Sequence, residues 1–185
     1  MSKVLPALTP ELEAFIAEQA VFFVATGPLA AEGHLNLSPK GQDSLRVLAP
    51  DLVGYLDLTG SSNETAAHLL ENGRITLMLC AFHGQPRILR LHGHGRVVLP
   101  TAPNWPDLIR RFPPLPGARQ IILVQVTRVS VSCGMAVPKM QLDEPRMELL
   151  AWAERKGPEG LREYQARHNR RSLDNLPTPF APAAE

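Results

Sequence analysis

The sequence predicts a mainly β protein: an antiparallel barrel with helical trim. Three observations carry this. About six short segments with β period follow one another, separated by Gly, Pro and Asn turns. Helical periodicity is confined to a few short stretches. Two β segments, 75–82 and 120–126, are apolar on both faces, which suits strands covered on two sides.

The elements run as follows. Thr9-Pro10 is a helix start, a hydroxyl N-cap followed by proline in the first turn, with Leu12, Phe15 and Ile16 on one face. "AVFFVATG" is a strand ended by Gly27-Pro28. "HLNLSPKG" is its return strand, with Leu35 and Leu37 on one face and His34, Asn36 and Ser38 on the other. "LRVLA" and "LVGYLDLTG" are two further strands. Ser61 with Glu64 three residues on forms a capping box for a short helix, with Ala66, Leu69 and Leu70 inward and Gly73 as left-handed cap. "ITLMLCAF" is a central strand.

"RILRLHGHGRVVLP" alternates longest, with Arg90, His92, His94 and Arg96 on one face. Residues 101–119 are irregular, with one short helix from Trp105 to Arg111. "QIILVQVTRVSVSC" is the last strand. Asp143 is placed to cap a helix carrying Met147, Leu150, Ala151 and Trp152, stopped at Gly157-Pro158, with a second short helix after it. The division expected is a barrel domain over 9–133, a helical extension over 134–176 and a flexible tail over 177–185.

Bulk properties narrow the function. The 185 residues carry a formal net charge of +1, which gives no general field for nucleic acid or an anionic membrane. No apolar run approaches the roughly 20 residues of a membrane span, and the first residues lack a signal peptide's apolar stretch, so a cytoplasmic location is expected. The two cysteines, Cys80 and Cys133, read as reduced core residues. GxSxG, P-loop and GxGxxG motifs are absent. His92 and His94 have no neighbouring acidic or thiol ligand to complete a metal set, and no metal is expected.

Three features point to an anion. Lys40 stands in a Pro-Lys-Gly turn with free amides, followed by Arg46. The 61–72 helix start offers Ser61, Ser62, Asn63 and Thr65, although Glu64 opposes an anion there. The Arg90 face is the third. Each has a plain reading too: a solvated hairpin, a self-capped helix and a solvated strand face.

The ordered series "HLNLSPKG", "YLDLTGS", a short helix ending "ENGRITLMLCAF", and "PRILRLHGHGRVV" resembles the pyridoxamine 5'-phosphate oxidase-like proteins, the FMN-binding split β-barrels. The match runs from about Phe15 to Val131, with wording closest to a subgroup distinct from the biosynthetic oxidases. The resemblance implies a six-stranded antiparallel Greek-key split barrel, working as a homodimer with FMN in the subunit interface. It implies that His34, Leu35, Asn36, Leu37 and Ser38 border the flavin ring, and that Lys40 lies near the phosphate with Arg46 and Arg90 as further cations. It implies flavin contacts from Asp57, Leu58 and Thr59, and a phosphate facing Ser61, Asn63 and Thr65.

The chain departs from the oxidases at Asn63 and Glu64, where they carry an Arg-Lys pair, and at Ile88, where they carry glutamine. The C-terminal Trp and Arg signature for pyridoxal phosphate is also missing. The expected function is therefore an FMN-binding oxidoreductase-like protein that does not oxidise pyridoxamine phosphate. The alternatives are a non-enzymatic barrel for haem, deazaflavin or another anion, and a structural dimer engaging a protein partner through its Arg90 face.

Overall fold

The computed structural model describes residues 3–182. The elements are β1 (Lys3–Leu5), α1 (Pro10–Ala17), β2 (Phe22–Thr26), β3 (Asn36–Lys40), β4 (Leu45–Ala49), β5 (Leu52–Leu58), α2 (Glu64–Glu71), β6 (Arg74–Cys80), β7 (Ile88–Val98), α3 (Trp105–Ile109), β8 (Ala118–Ser132) and α4 (Glu148–His168). All pairings are antiparallel, in the order β3-β2-β6-β7-β8-β5-β4, with β1 on the far half of β8. The sheet therefore has eight strands rather than six. β6, β7 and β8 form a meander and β5 returns beside β8, which is a Greek key.

The two ends of the sheet, β3 and β4, are joined by Gly41–Ser44 alone. Five chain steps reach at most about 18 Å, so the sheet must curl until its edges approach. Gln42 and Asp43 both adopt positive φ (62° and 52°) to make this corner. The curled interior holds the main core: Phe22, Val24, Tyr55, Leu77, Leu89, Ile122 and their neighbours. α1 closes one end with Leu12, Phe15 and Ile16, and Thr9 caps it as expected, accepting from the Leu12 amide. A second cluster lies on the outer face of β5 and β8, where Leu56, Ile121 and Leu123 meet Phe112 and the α3 segment. This explains why the start of β8 is apolar on both faces.

β7 keeps its alternation although β8 carries an extra residue opposite His92/Gly93. The sheet approaches so closely there that a Cβ on Gly93 would stand 2.1 Å from the Gln125 carbonyl oxygen. A Cβ on Gly95 would meet Leu69, which is how α2 lies down on β7.

Several expectations are corrected. Leu70 points to solvent. The capping box does not form: Asn63 is the N-cap of α2, and the Glu64 carboxylate serves a distant backbone. Asp143 does not cap α4, whose N-cap is Met147, whereas the helix does break at Gly157 (φ 64°) and a second helical segment follows, as the sequence suggests. Its halves fold against each other, with Trp152 edge-on to Tyr164. The stretch expected as a flexible tail starts docked: Thr178 is buried and donates its hydroxyl to the Asn169 carbonyl. Residues 183–185 of that tail lie outside the described residues. No helix among the described residues is long and apolar enough to cross a membrane.

Candidate functional site

β3 keeps the two faces that its alternation defines, with the polar one inward. Leu35 and Leu37 are exposed (84% and 67%), while Asn36, Ser38 and Lys40 turn inward. β3 is an edge strand, so its outer face meets no sheet. The inward polar groups are tolerated because partners wait for them. Asn36 Nδ2 donates to the Thr26 and Thr65 hydroxyls, at 3.1 Å each. Lys40 Nζ crosses the barrel to Asp57 Oδ1 at 2.9 Å and stands over the Tyr55 ring.

Asp57 is the centre of a buried network. Its other oxygen accepts from Arg119 Nε and Gln120 Nε2, both at 2.8 Å. Burial pushes this carboxyl up, but the charges and hydrogen bonds of Lys40 and Arg119 outweigh it and hold it well below the usual carboxylate range. Gln120 also donates to Asn63, and Arg119 Nη1 to Asn169, whose amide donates to Gly60 O. Thr59 donates to Gly117 O and accepts from Gln165. β3, β5, β8, the start of α2 and the end of α4 are thereby tied at one point.

Two cavities open beside this network and share Ser61 and Ser62. The larger, about 530 Å³, runs along His34, Leu35, Asn36 and Leu37 and is walled by Glu64 and the segment after α4. The smaller, about 250 Å³, is lined by Lys40, Leu58, Gly60 and Arg119. Two cations there share one carboxylate, which leaves a net positive charge. Arg119 is 5% exposed, and its Nη2 donates to no acceptor among the described residues.

The segment after α4 forms a strap across the larger cavity. The Asp174 carboxylate accepts from both the backbone N–H and Nδ1 of His34, at 2.7 Å each. Those bonds hold the Asp174 carboxyl below its ordinary range. In return Glu64 accepts from the Leu173 amide at 3.0 and 3.1 Å. Glu64 thus has a task at the helix start other than capping.

Of the residues singled out from the sequence, His34, Leu35, Asn36, Leu37, Lys40, Leu58 and Ser61 line these two cavities. Asp57, Thr59, Asn63 and Thr65 lie buried beneath them as supports. Ser38 is half-buried on the same strand. Arg46 and Arg90 do not join them. Arg46 makes a fork onto Asp43 and lines a different cavity against α1. Arg90 bonds Ser132, at the end of β8 opposite Arg119, and His92 on its face is held by Thr76 and Ser130. The sequence reading missed Arg119, Gln120, Asn169, Arg171 and Asp174. The one available signal was "RQ" opening an otherwise apolar strand.

The sequence profile of the pyridoxamine 5'-phosphate oxidase family matches residues 8–133. The pyridoxamine 5'-phosphate oxidase family protein ustO of Aspergillus flavus is 39% identical over 188 residues, covering 92% of this chain and 75% of that protein. Among solved structures, Group A Streptococcus HupZ superposes with a TM-score of 0.53 at 20% identity, covering 66% of this chain and 91% of its own. A candidate pyridoxamine 5'-phosphate oxidase of Lactobacillus delbrueckii gives 0.52 at 19%, covering 68% and 94%. The FAD-binding protein of Mycobacterium smegmatis gives 0.50 at 13%, covering 69% and 93%. The eight-stranded sheet is thus a split barrel, and the chain belongs to the pyridoxamine 5'-phosphate oxidase family.

Proposed function

We propose that the protein binds FMN and acts as a flavin-dependent oxidoreductase on a substrate other than pyridoxamine phosphate. The observation that carries this is the pairing of Lys40 and Arg119 on one carboxylate beside a cavity that shares Ser61 and Ser62 with the β3 cavity. A ligand with an extended polar ring and a terminal phosphate suits that pair of cavities. Lys40 has two ammonium protons and Arg119 its whole Nη2 free of protein acceptors among the described residues, with Ser61 and Ser62 between the cavities. These residues would hold the phosphate, in place of the Arg-Lys pair that Asn63 and Glu64 replace. The Asn36 side chain and the β3 backbone would border the ring. Bound there, FMN would supply the electron transfer.

The protein's own residues position and shield. Asp57 holds the two cations from below and is itself held by Gln120, which is tied to Asn63, so the cations are set in place for an anion. The strap, with Leu173, narrows water access over the larger cavity. We further propose a homodimer. Exposed Leu35, Leu37 and Leu173 form apolar surface beside the cavity that a second subunit would cover. A cytoplasmic location agrees with Cys80 and Cys133 being unpaired.

A second reading is a non-redox binder of haem, a deazaflavin or another anion. It is favoured by His34 and Glu64, which are both engaged with the strap rather than free for proton transfer. The visible spectrum of the purified protein decides between them: flavin bands support the first reading, a Soret band the second. A colourless protein that takes up no added FMN contradicts the first.

A further inference from the structure

His68 is the polar side chain with the least evident purpose. It lies on α2 with no exposed surface, inside a helix face otherwise made of alanine and leucine. Its Nδ1 is 2.9 Å from Thr26 Oγ1, and its Nε2 has no partner. Burial lowers its pKa despite the acidic groups facing it, Glu64 and Glu71 on its own helix and Asp174 on the strap, so the ring is neutral. An apolar residue at this place would avoid burying an unpaired nitrogen. The ring therefore serves its one bond.

That bond leads to the cavity. Thr26 and Asn36 are partners across β2 and β3, and Thr26 Oγ1 touches both His68 Nδ1 and Asn36 Nδ2. A threonine hydroxyl has one proton. Its oxygen accepts from Asn36, and in this buried place His68 Nδ1 is the acceptor within reach of its proton among the described residues, which calls for an unprotonated Nδ1 and the proton on Nε2. The opposite tautomer would donate to Thr26 and leave the buried Thr26 proton without an acceptor among the described residues unless the Asn36 amide turned its oxygen over. The second Asn36 N–H goes to Thr65. Both protons of the amide are thus spent inward, and its Oδ1 has no donor among the described residues, in a side chain that belongs to the lining of the larger cavity.

We infer that His68, acting through Thr26, fixes the Asn36 amide so that its carbonyl oxygen faces the cavity and accepts a hydrogen bond from a ligand N–H. His68 is a positioning residue and Asn36 selects for a donor at that point. This rests on the flavin reading, in which the donor is the imide N–H at N3 of the pyrimidine edge.

The test compares FMN with N3-methyl-FMN, which keeps the phosphate and ring but lacks the donor, by direct titration of flavin fluorescence. The protein is expected to prefer FMN about tenfold, the loss of one hydrogen bond. Thr26→Val should reduce the preference to near unity and Thr26→Ser should restore it. Equal binding of the two flavins by the unaltered protein overturns the inference and leaves the flavin reading standing. A preference that survives in Thr26→Val means a methyl clash only, and also overturns it. No binding of FMN overturns the flavin reading instead. The relay is then read by nitrogen NMR of His68 in the unaltered protein: a proton on Nε2 supports it and a proton on Nδ1 overturns it.

Discussion

Lys40 Nζ lies 2.9 Å from Asp57 Oδ1, and this contact joins β3 to β5 across the open side of the barrel. The two strands sit towards opposite ends of the sheet, so the ion pair closes what the hydrogen-bond ladder leaves split. The same lysine faces the smaller cavity. One side chain therefore serves both the fold and the proposed anion site.

Lys40→Met should cost stability, because buried Asp57 keeps only Arg119 as a cationic partner. The expected loss is about 2–3 kcal/mol in urea unfolding, with an unchanged slope. Arg46→Ala removes a partly exposed fork to Asp43 and should cost under about 0.5 kcal/mol. Equal effects for the two variants would contradict the closure role of Lys40.

Acid should weaken the fold in two stages. His68 and His92 have lowered pKa values, from burial first and, at His92, from Arg128 and Arg90 as well. The unfolded chain takes up protons that these folded groups refuse, so stability falls as pH drops below about 6.5. The Asp57 carboxyl is depressed when folded. Its contribution is complete above about pH 5 and is lost as pH falls below about 4 towards the folded value. Urea titrations at stepped pH should show both limbs. A stability that is flat from pH 7 to pH 5 would contradict the first.

The strap is held by two carboxylates at opposite ends of one exchange. Glu64→Gln should speed hydrogen exchange at the Leu173 amide by about tenfold, and Asp174→Ala should do so at the His34 amide. Core amides of β7 should be unaffected. Unchanged exchange at Leu173 and His34 would show that the strap is held by other contacts.

Two glycines should respond in opposite directions. Gly93→Ala places a Cβ 2.1 Å from backbone oxygen, and should destabilise by about 3 kcal/mol or more. Gly160→Ala, inside α4 and with only the Lys156 side chain near, should stabilise by about 0.5–1 kcal/mol. Thermal unfolding of both variants checks the pair.

Most strands were legible because they bury one face and so carry period two, and α1 because Thr9-Pro10 and its apolar stripe agree. β3 has the period, but the period does not tell which face turns inward. A count of apolar residues cannot tell that Asn36 and Lys40 have buried partners at Thr65 and Asp57, far along the chain. Arg119 was hidden for the same reason: a charged residue at a strand start reads as exposed until Asp57, 62 positions away, is placed beside it. The strap has no period at all, and β1 is only three residues long. Spacing suggests a local cap at Glu64, whose actual partner is the distant Leu173 amide, because local partners are all that spacing reveals.

In the proposed function, Lys40 and Arg119 receive the phosphate of a flavin. Titration with FMN and with riboflavin, which lacks only the phosphate, tests it directly. FMN should bind at least tenfold more tightly, by about 1.5–3 kcal/mol, and Lys40→Met should remove most of that difference. Equal affinities for FMN and riboflavin, or a preference for FMN that Lys40→Met leaves intact, would contradict it.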